Sequence, residues 1–160
     1  MKPALLAATT LALVLSVASC SAPRPAVTFY GNRTAVDVQP FGWCDKEVTQ
    51  CPVDPAQIGV LAMAANQPLQ VNVPAEVGDT VWRVLWASKG GNAVAASGAS
   101  NFFTDRRLAY TIPALGPGEI LTKVEVQAGI IAFTAADGTQ QFGVTSSWEL
   151  MVQPKIPIAS

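Results

Sequence analysis

The chain contains no histidine, and that single absence removes several chemistries at once. No Ser-His-Asp or Cys-His nucleophile can be assembled, and no zinc site of the usual histidine-bearing kinds. Charge is also scarce and balanced, with ten basic against eleven acidic side chains and a formal charge of −1. A chain without a basic excess offers no field for a phosphate backbone, so no nucleic-acid partner is expected. No serine stands three residues before a lysine, which removes the acylating Ser-x-x-Lys pattern, and no glycine-rich phosphate cradle follows a strand. Internal repeats and heptads are missing, as is a second long apolar run. What remains is 160 residues, half of them apolar, which is the length and composition of one domain.

The only long apolar run is the first one. Met1 and Lys2 make a short positive start, and Pro3 to Ala18 is apolar or small. This is the layout of an export signal and not part of the fold. Its end decides between two kinds of signal. Val17-Ala18-Ser19-Cys20 resembles the lipobox of bacterial lipoproteins, where small side chains admit a peptidase and the cysteine thiol takes a diacylglyceryl group. The alternative is an ordinary cleaved signal with an incidental cysteine. On the lipobox reading residues 1–19 are removed and Cys20 becomes a lipidated amino terminus at the outer face of the cell membrane. Several acyl chains hold a protein at a bilayer durably.

Removal of residues 1–19 takes away one lysine, leaving nine basic and eleven acidic side chains. Such a domain is not drawn to anionic headgroups by charge, so the anchor does the membrane work. Residues 20–26 form a short proline-containing tether before the first strand-like residue. At roughly 3 Å per residue it spans on the order of 20 Å at most. Cys44 and Cys51 are the other two sulfurs. In an exported chain an even pair reads as a disulfide, and closing so short a loop constrains the unfolded chain by roughly 2.5 kcal/mol. A metal site on these two thiols would need carboxylates to complete it, and no metal or other cofactor is expected.

From residue 27 onward a period of two dominates. Trp82, Val84 and Trp86 share one face with Arg83 on the other; Val124 and Val126 alternate with charged neighbours; Trp148, Leu150 and Val152 do the same. Leu69 to Val73 and Leu108 to Ile112 repeat the pattern. One-sided burial of this kind belongs to antiparallel sheets. Gly90-Gly91-Asn92 and Asp137-Gly138 are hairpin signals, and Pro113 to Gly118 breaks a strand. These features predict an all-β, antiparallel β-sandwich over residues 27–153, with an extended tail over 154–160 that covers a sheet edge. One segment is ambiguous. Asp54-Pro55-Ala56-Gln57 has the chemistry of a helix start, but Gly59 is a poor helix residue, and a strand is favoured for residues 58–64.

Tyr30-Gly31, Val36-Asp37-Val38, Pro40, and Trp43-Cys44-Asp45 before Cys51 form one recognisable layout. Val73-Pro74-Ala75-Glu76-Val77 before Val81-Trp82, a Val124-Glu125-Val126 strand and a late Trp148 complete it. Together they resemble an uncharacterised family of secreted actinobacterial lipoproteins, known only as a domain of unknown function, over about residues 27–153. The resemblance implies an exported, lipid-anchored, all-β domain with a local disulfide and an immunoglobulin-like sandwich. It implies no activity and no functional residue.

Candidate sites are few. Asp37, Asp45, Glu47 and Asp54 lie close in sequence, as a calcium site or an acid/base pair for glycan hydrolysis would require, yet the pattern is also that of ordinary solvated surface. Trp82 and Trp86 are expected in the core. Phe102 and Phe103 stand in a polar stretch with Arg106. Exposed aromatics beside arginine are typical interface anchors, although one of the two phenylalanines can instead close the end of the core. Asn32-Arg33-Thr34 matches a glycosylation sequon. The expected function is a non-enzymatic interaction module at the outer face of the cytoplasmic membrane, meeting an envelope protein through Phe102, Phe103 and Arg106. A carrier of lipid or another apolar ligand is the second reading, and a carboxylate-based wall-glycan hydrolase the third.

Overall fold

The structure, a computed structural model, describes residues 23–45, 47–90 and 95–155. Alternating residues drive nearly every element into strands, and two sheets result. The first is antiparallel, in the order β2–β1–β5–β8, from β1 (Val27–Gly31), β2 (Thr34–Val38), β5 (Leu69–Asn72) and β8 (Ala109–Ile112). The second runs β3–β10–β9–β6–β7, from β3 (Gly42–Trp43), β6 (Trp82–Lys89), β7 (Ala95–Ala99), β9 (Ile120–Thr134) and β10 (Gln140–Pro154). Its pairs are antiparallel except one: β4 (Gly59–Met63) lies parallel to β10, from Leu150↔Gly59 to Pro154↔Met63. A single helical turn, α1 (Ala75–Gly78), joins β5 to β6. The chain is all-β with two sheets, and it is not closed into a barrel.

The two sheets share one buried cluster. Val27, Phe29, Leu69, Val71 and Ile112 enter it from the first sheet, and Trp82, Val84, Val124, Val126, Trp148 and Leu150 from the second, all at 0% exposure. Fully burying a side chain of this size is worth roughly 1.5–3 kcal/mol, so these alternating positions hold the sheets together. The two buried indoles also find acceptors: Trp82 Nε1 donates to Arg107 O at 3.2 Å and Trp148 Nε1 to Pro25 O at 2.9 Å.

The ambiguous segment divides. Asp54 caps a single 3-10 turn over Pro55–Gln57, accepting from Ala56 N at 3.0 Å, and the chain then enters β4 as a strand. Gly59 is required there, because a Cβ would overlap Val38 Cγ2 of β2. Asn32 and Arg33 form the two-residue turn of the β1–β2 hairpin, with φ of 50° and 63°. Trp86, expected in the core, packs against the buried cluster from its rim and is half-buried. Edge strand β7 presents small residues, and the Trp86 ring lies where a Cβ on Gly98 would be, 6.4 Å from Tyr110. Pro154 of the expected tail belongs to β10, and Lys155 N donates to Met63 O at 2.8 Å. Residues 156–160 lie outside the described residues, as do 91–94 between β6 and β7.

β9 and β10, 15 residues each, outrun their neighbours. Pairing of β9 with β6 stops at Trp82↔Ala128, and pairing of β10 with β3 stops at Ser146↔Trp43. One further bond follows on each side, from Ile130 N to Val81 O at 3.1 Å and from Cys44 N to Thr145 O at 2.8 Å; past these the two strands form a ribbon closed by the Asp137-Gly138 turn, with Gly138 at φ 83°. Gly129 sits at the ribbon's foot with φ 62°, and a Cβ there would overlap Thr145 Oγ1. Only glycine meets both demands.

Candidate interaction surface

The two adjacent phenylalanines part company. Residues 100–103 continue alongside β6, with Phe103 N donating to Trp82 O at 2.8 Å, so neighbouring side chains point to opposite faces. Phe103 is 6% exposed and packs on Trp82 at 4.6 Å and Tyr110 at 5.2 Å between ring centroids. Phe103 is thus the ring that closes the end of the core, and it does not stand in an exposed interface. Phe102 points outward, is 42% exposed, and meets Phe142 of the ribbon at 5.6 Å. Arg106 is not the arginine beside either ring. Its Nε lies 3.6 Å from Asp79 Oδ1 in an exposed pair, while Arg83 lies 5.0 Å from the Phe102 centroid and Arg107 4.5 Å from that of Phe103.

Arg83 connects the aromatic pair to the outer face of the second sheet. Its Nε donates to Gln127 Oε1 at 2.9 Å, and Gln127 Nε2 donates to Glu125 Oε1 at 2.6 Å. Glu125 borders an open groove of about 470 Å³, lined by Leu85, Ala87, Ser97, Ala99 and Lys123. Lys123 closes the row by pairing with Glu149 at 3.0 Å. A line of held polar groups therefore runs from the Phe102–Phe142 pair to a partly apolar groove. Phe142 and Arg83 had no signal in the sequence, because each reaches Phe102 from a strand distant in the chain.

The acidic cluster resolves into separate duties. Asp37 accepts from Thr28 Oγ1 at 2.5 Å across the β1–β2 hairpin. Asp45 accepts from Thr49 Oγ1 at 2.6 Å and Thr49 N at 2.7 Å, bonds that hold its carboxyl below the ordinary range. Asp54 is lowered likewise, chiefly by Gln57 Nε2 at 3.0 Å and then Ala56 N. Among the described residues no three acidic or sulfur side chains converge on a metal position. Cys44 and Cys51 are joined as a disulfide, and Cys20 lies outside the described residues.

The end of the domain that bears the ribbon has a second cleft, of about 310 Å³, where Pro25, Trp43, Val48, Glu76, Gly129 and Thr145 meet. A model of the family described as protein of unknown function (DUF2771) matches residues 21–153. The chain belongs to that family. No curated protein and no solved structure matches this DUF2771 chain.

Proposed function

We propose that this DUF2771 chain is a lipid-anchored envelope protein, with residues 1–19 as its cleaved signal and Cys20 as its lipidated terminus. Its sandwich, immunoglobulin-like in topology, serves as a non-enzymatic interaction module at the outer face of the cytoplasmic membrane. The β10–β9–β6–β7 order facing a sheet that contains β1, β5 and β8, with the buried Trp82 on β6, supports the topological analogy.

The observation that carries the interaction reading is the exposed Phe102–Phe142 pair with Arg83 over it. Two apolar rings in contact, one of them under a guanidinium, beside a polar row and a groove, have the make-up of an interface hot spot. An envelope polypeptide laid along the outer face of the second sheet would cover the rings and the groove together. The carrier reading loses support from the core, since Trp82, Trp148, Phe29 and Met63 fill the space between the sheets.

The test places a photo-crosslinking amino acid at position 102, or at position 30 on the first sheet, in native membranes. A discrete polypeptide adduct from position 102 only, lost with Arg83→Ala, supports the reading. The same adducts from both positions, or none from 102, reject it. Separately, Cys20→Ala is expected to release the protein or leave an uncleaved precursor, and retention of a processed Cys20→Ala chain at the membrane rejects the anchor.

A further inference from the structure

We infer that the ribbon end of the domain is a second, purely apolar contact with the lipid surface, made through Ile131 and Phe133 beside the Cys20 anchor. The inference rests on the lipoprotein reading for its placement and on the fold for its chemistry.

The N-terminal segment and the ribbon leave the body at the same end. Pro25 O receives the Trp148 indole at 2.9 Å, and Pro25 borders the same cleft as Gly129 and Thr145 at the ribbon's foot. From there β1 runs away to Gly31, which packs on Met63, the residue paired with Pro154 at the opposite end. Five residues separate Pro25 from Cys20, a chain length that reaches about 15 Å at most when extended. The ribbon strand from Gly129 to Thr134 is about 20 Å long at ordinary strand rise. An arm as long as the tether, rising from the tether's own foot, meets the surface to which the tether is fixed.

Exposed apolar surface is concentrated at this end. Of ten exposed large hydrophobic side chains among the described residues, six lie here: Val48, Phe102, Leu108, Ile131, Phe133 and Phe142. Val48 borders the cleft, Leu108 packs against Gly78 of α1, and the rest are on the ribbon or stacked on it. Ile131 and Phe133 stand at 46% and 45% exposure, side by side over Gly143, which offers no side chain to cover them. Phe142 is engaged with Phe102, so Ile131 and Phe133 are the pair left for lipid.

Between residues 129 and 145 the single charged group is Asp137, at the turn. It accepts from Thr139 Oγ1 at 2.6 Å and Thr139 N at 2.9 Å, bonds that lower its carboxyl from the ordinary range. An ionised carboxylate is costly in hydrocarbon, so the turn stays among headgroups and the ribbon lies along the interface instead of piercing it. The surrounding charges do not assist. Among the described residues at this end Asp45, Glu47, Glu76, Asp79 and Asp105 outnumber Arg24, Arg106 and Arg107, so the contact is not expected to draw on anionic lipid or to depend on salt. An apolar arm beside an acyl anchor supplies a second membrane signal.

The test uses the mature chain, residues 20–160, with Cys20→Ser so that no lipid is attached. Flotation is measured with vesicles of phosphatidylcholine and phosphatidylglycerol, at low and high salt. The expected result is partial flotation that salt does not abolish, and a loss of about tenfold or more in partition for Ile131→Ser with Phe133→Ser. The Ile131→Leu, Phe133→Leu chain should float like the parent, and near-ultraviolet circular dichroism should report the same fold for all three. A folded parent chain that stays wholly in solution overturns the inference. So does flotation unaffected by the serine variant, or a ribbon that mediates concentration-dependent self-association with no vesicle binding. The intact mass of the natural mature protein separates the two levels. A missing diacylglyceryl group defeats the lipoprotein reading, whereas its presence without flotation of the Cys20→Ser chain defeats the ribbon contact alone.

Discussion

Replacing Phe102 and Phe103 by alanine, one at a time, separates the two roles that the fold assigns to adjacent identical residues. Phe103 is 6% exposed and its ring lies within 5.2 Å of two other aromatic centroids, with the Arg107 guanidinium 4.5 Å away. Truncating such a side chain removes its transfer energy and leaves a cavity bounded by Trp82 and Tyr110, which cannot collapse without moving two strands. The expected cost is about 3–4 kcal/mol. In a domain of this size that corresponds to a fall of about 10–15 °C in melting temperature. Phe102 is 42% exposed and loses one aromatic contact and one cation–π contact, worth about 1 kcal/mol together at a solvated site, or a few degrees. Urea and thermal unfolding of the mature chain, followed by tryptophan fluorescence and circular dichroism, measures both. Equal losses, or a larger loss for Phe102→Ala, would refute the assignment of Phe103 to the core and Phe102 to the surface.

Gly129→Ala should cost about 2 kcal/mol, combining a positive φ with the overlap on Thr145; Gly138→Ala, with open space around it, should cost about 1 kcal/mol from φ alone, and urea midpoints compare them. Asp105 is held at a pKa of about 2, against 3.8 for a free carboxylate, first by its hydrogen bonds from Arg107 and then by that charge. Because the folded value is the lower one, the stabilisation is complete above the unfolded value and disappears as pH falls through about 2. Carboxyl-carbon NMR should find the Asp105 midpoint near 2 and see it return toward 3.8 in Arg107→Ala, and an unmoved midpoint in that variant would show that Arg107 is not the cause.

The strands were legible because burial on one face imposes a period of two, and β5, β6, β8, β9 and β10 each cover a run in which that period is written. The Asp137-Gly138 turn was legible for the same reason, since positive φ at a tight turn selects few residues. The Asn32-Arg33 turn was not, because Asn32 suits a left-handed backbone but is followed by Arg33 where such a turn usually has glycine. The helix-like start at Asp54 was real but stopped after one turn, where the parallel pairing of β4 with β10 outweighed local preference.

By itself the sequence determined the class of chain: all-β and free of histidine chemistry, with a cysteine pair near enough to close a small loop. Composition, periodicity and short-range spacing are local quantities, and these conclusions need nothing more. Only the tertiary structure decided which phenylalanine faces water, that Arg83 and not Arg106 lies over it, and that Phe142 arrives from forty residues away to stack on it. It also decided that β9 and β10 outrun their partners, and that the ribbon they form rises where the N-terminal segment leaves the body. Such facts depend on which strands become neighbours, and a pattern of alternation says which face a residue takes without saying what it meets there.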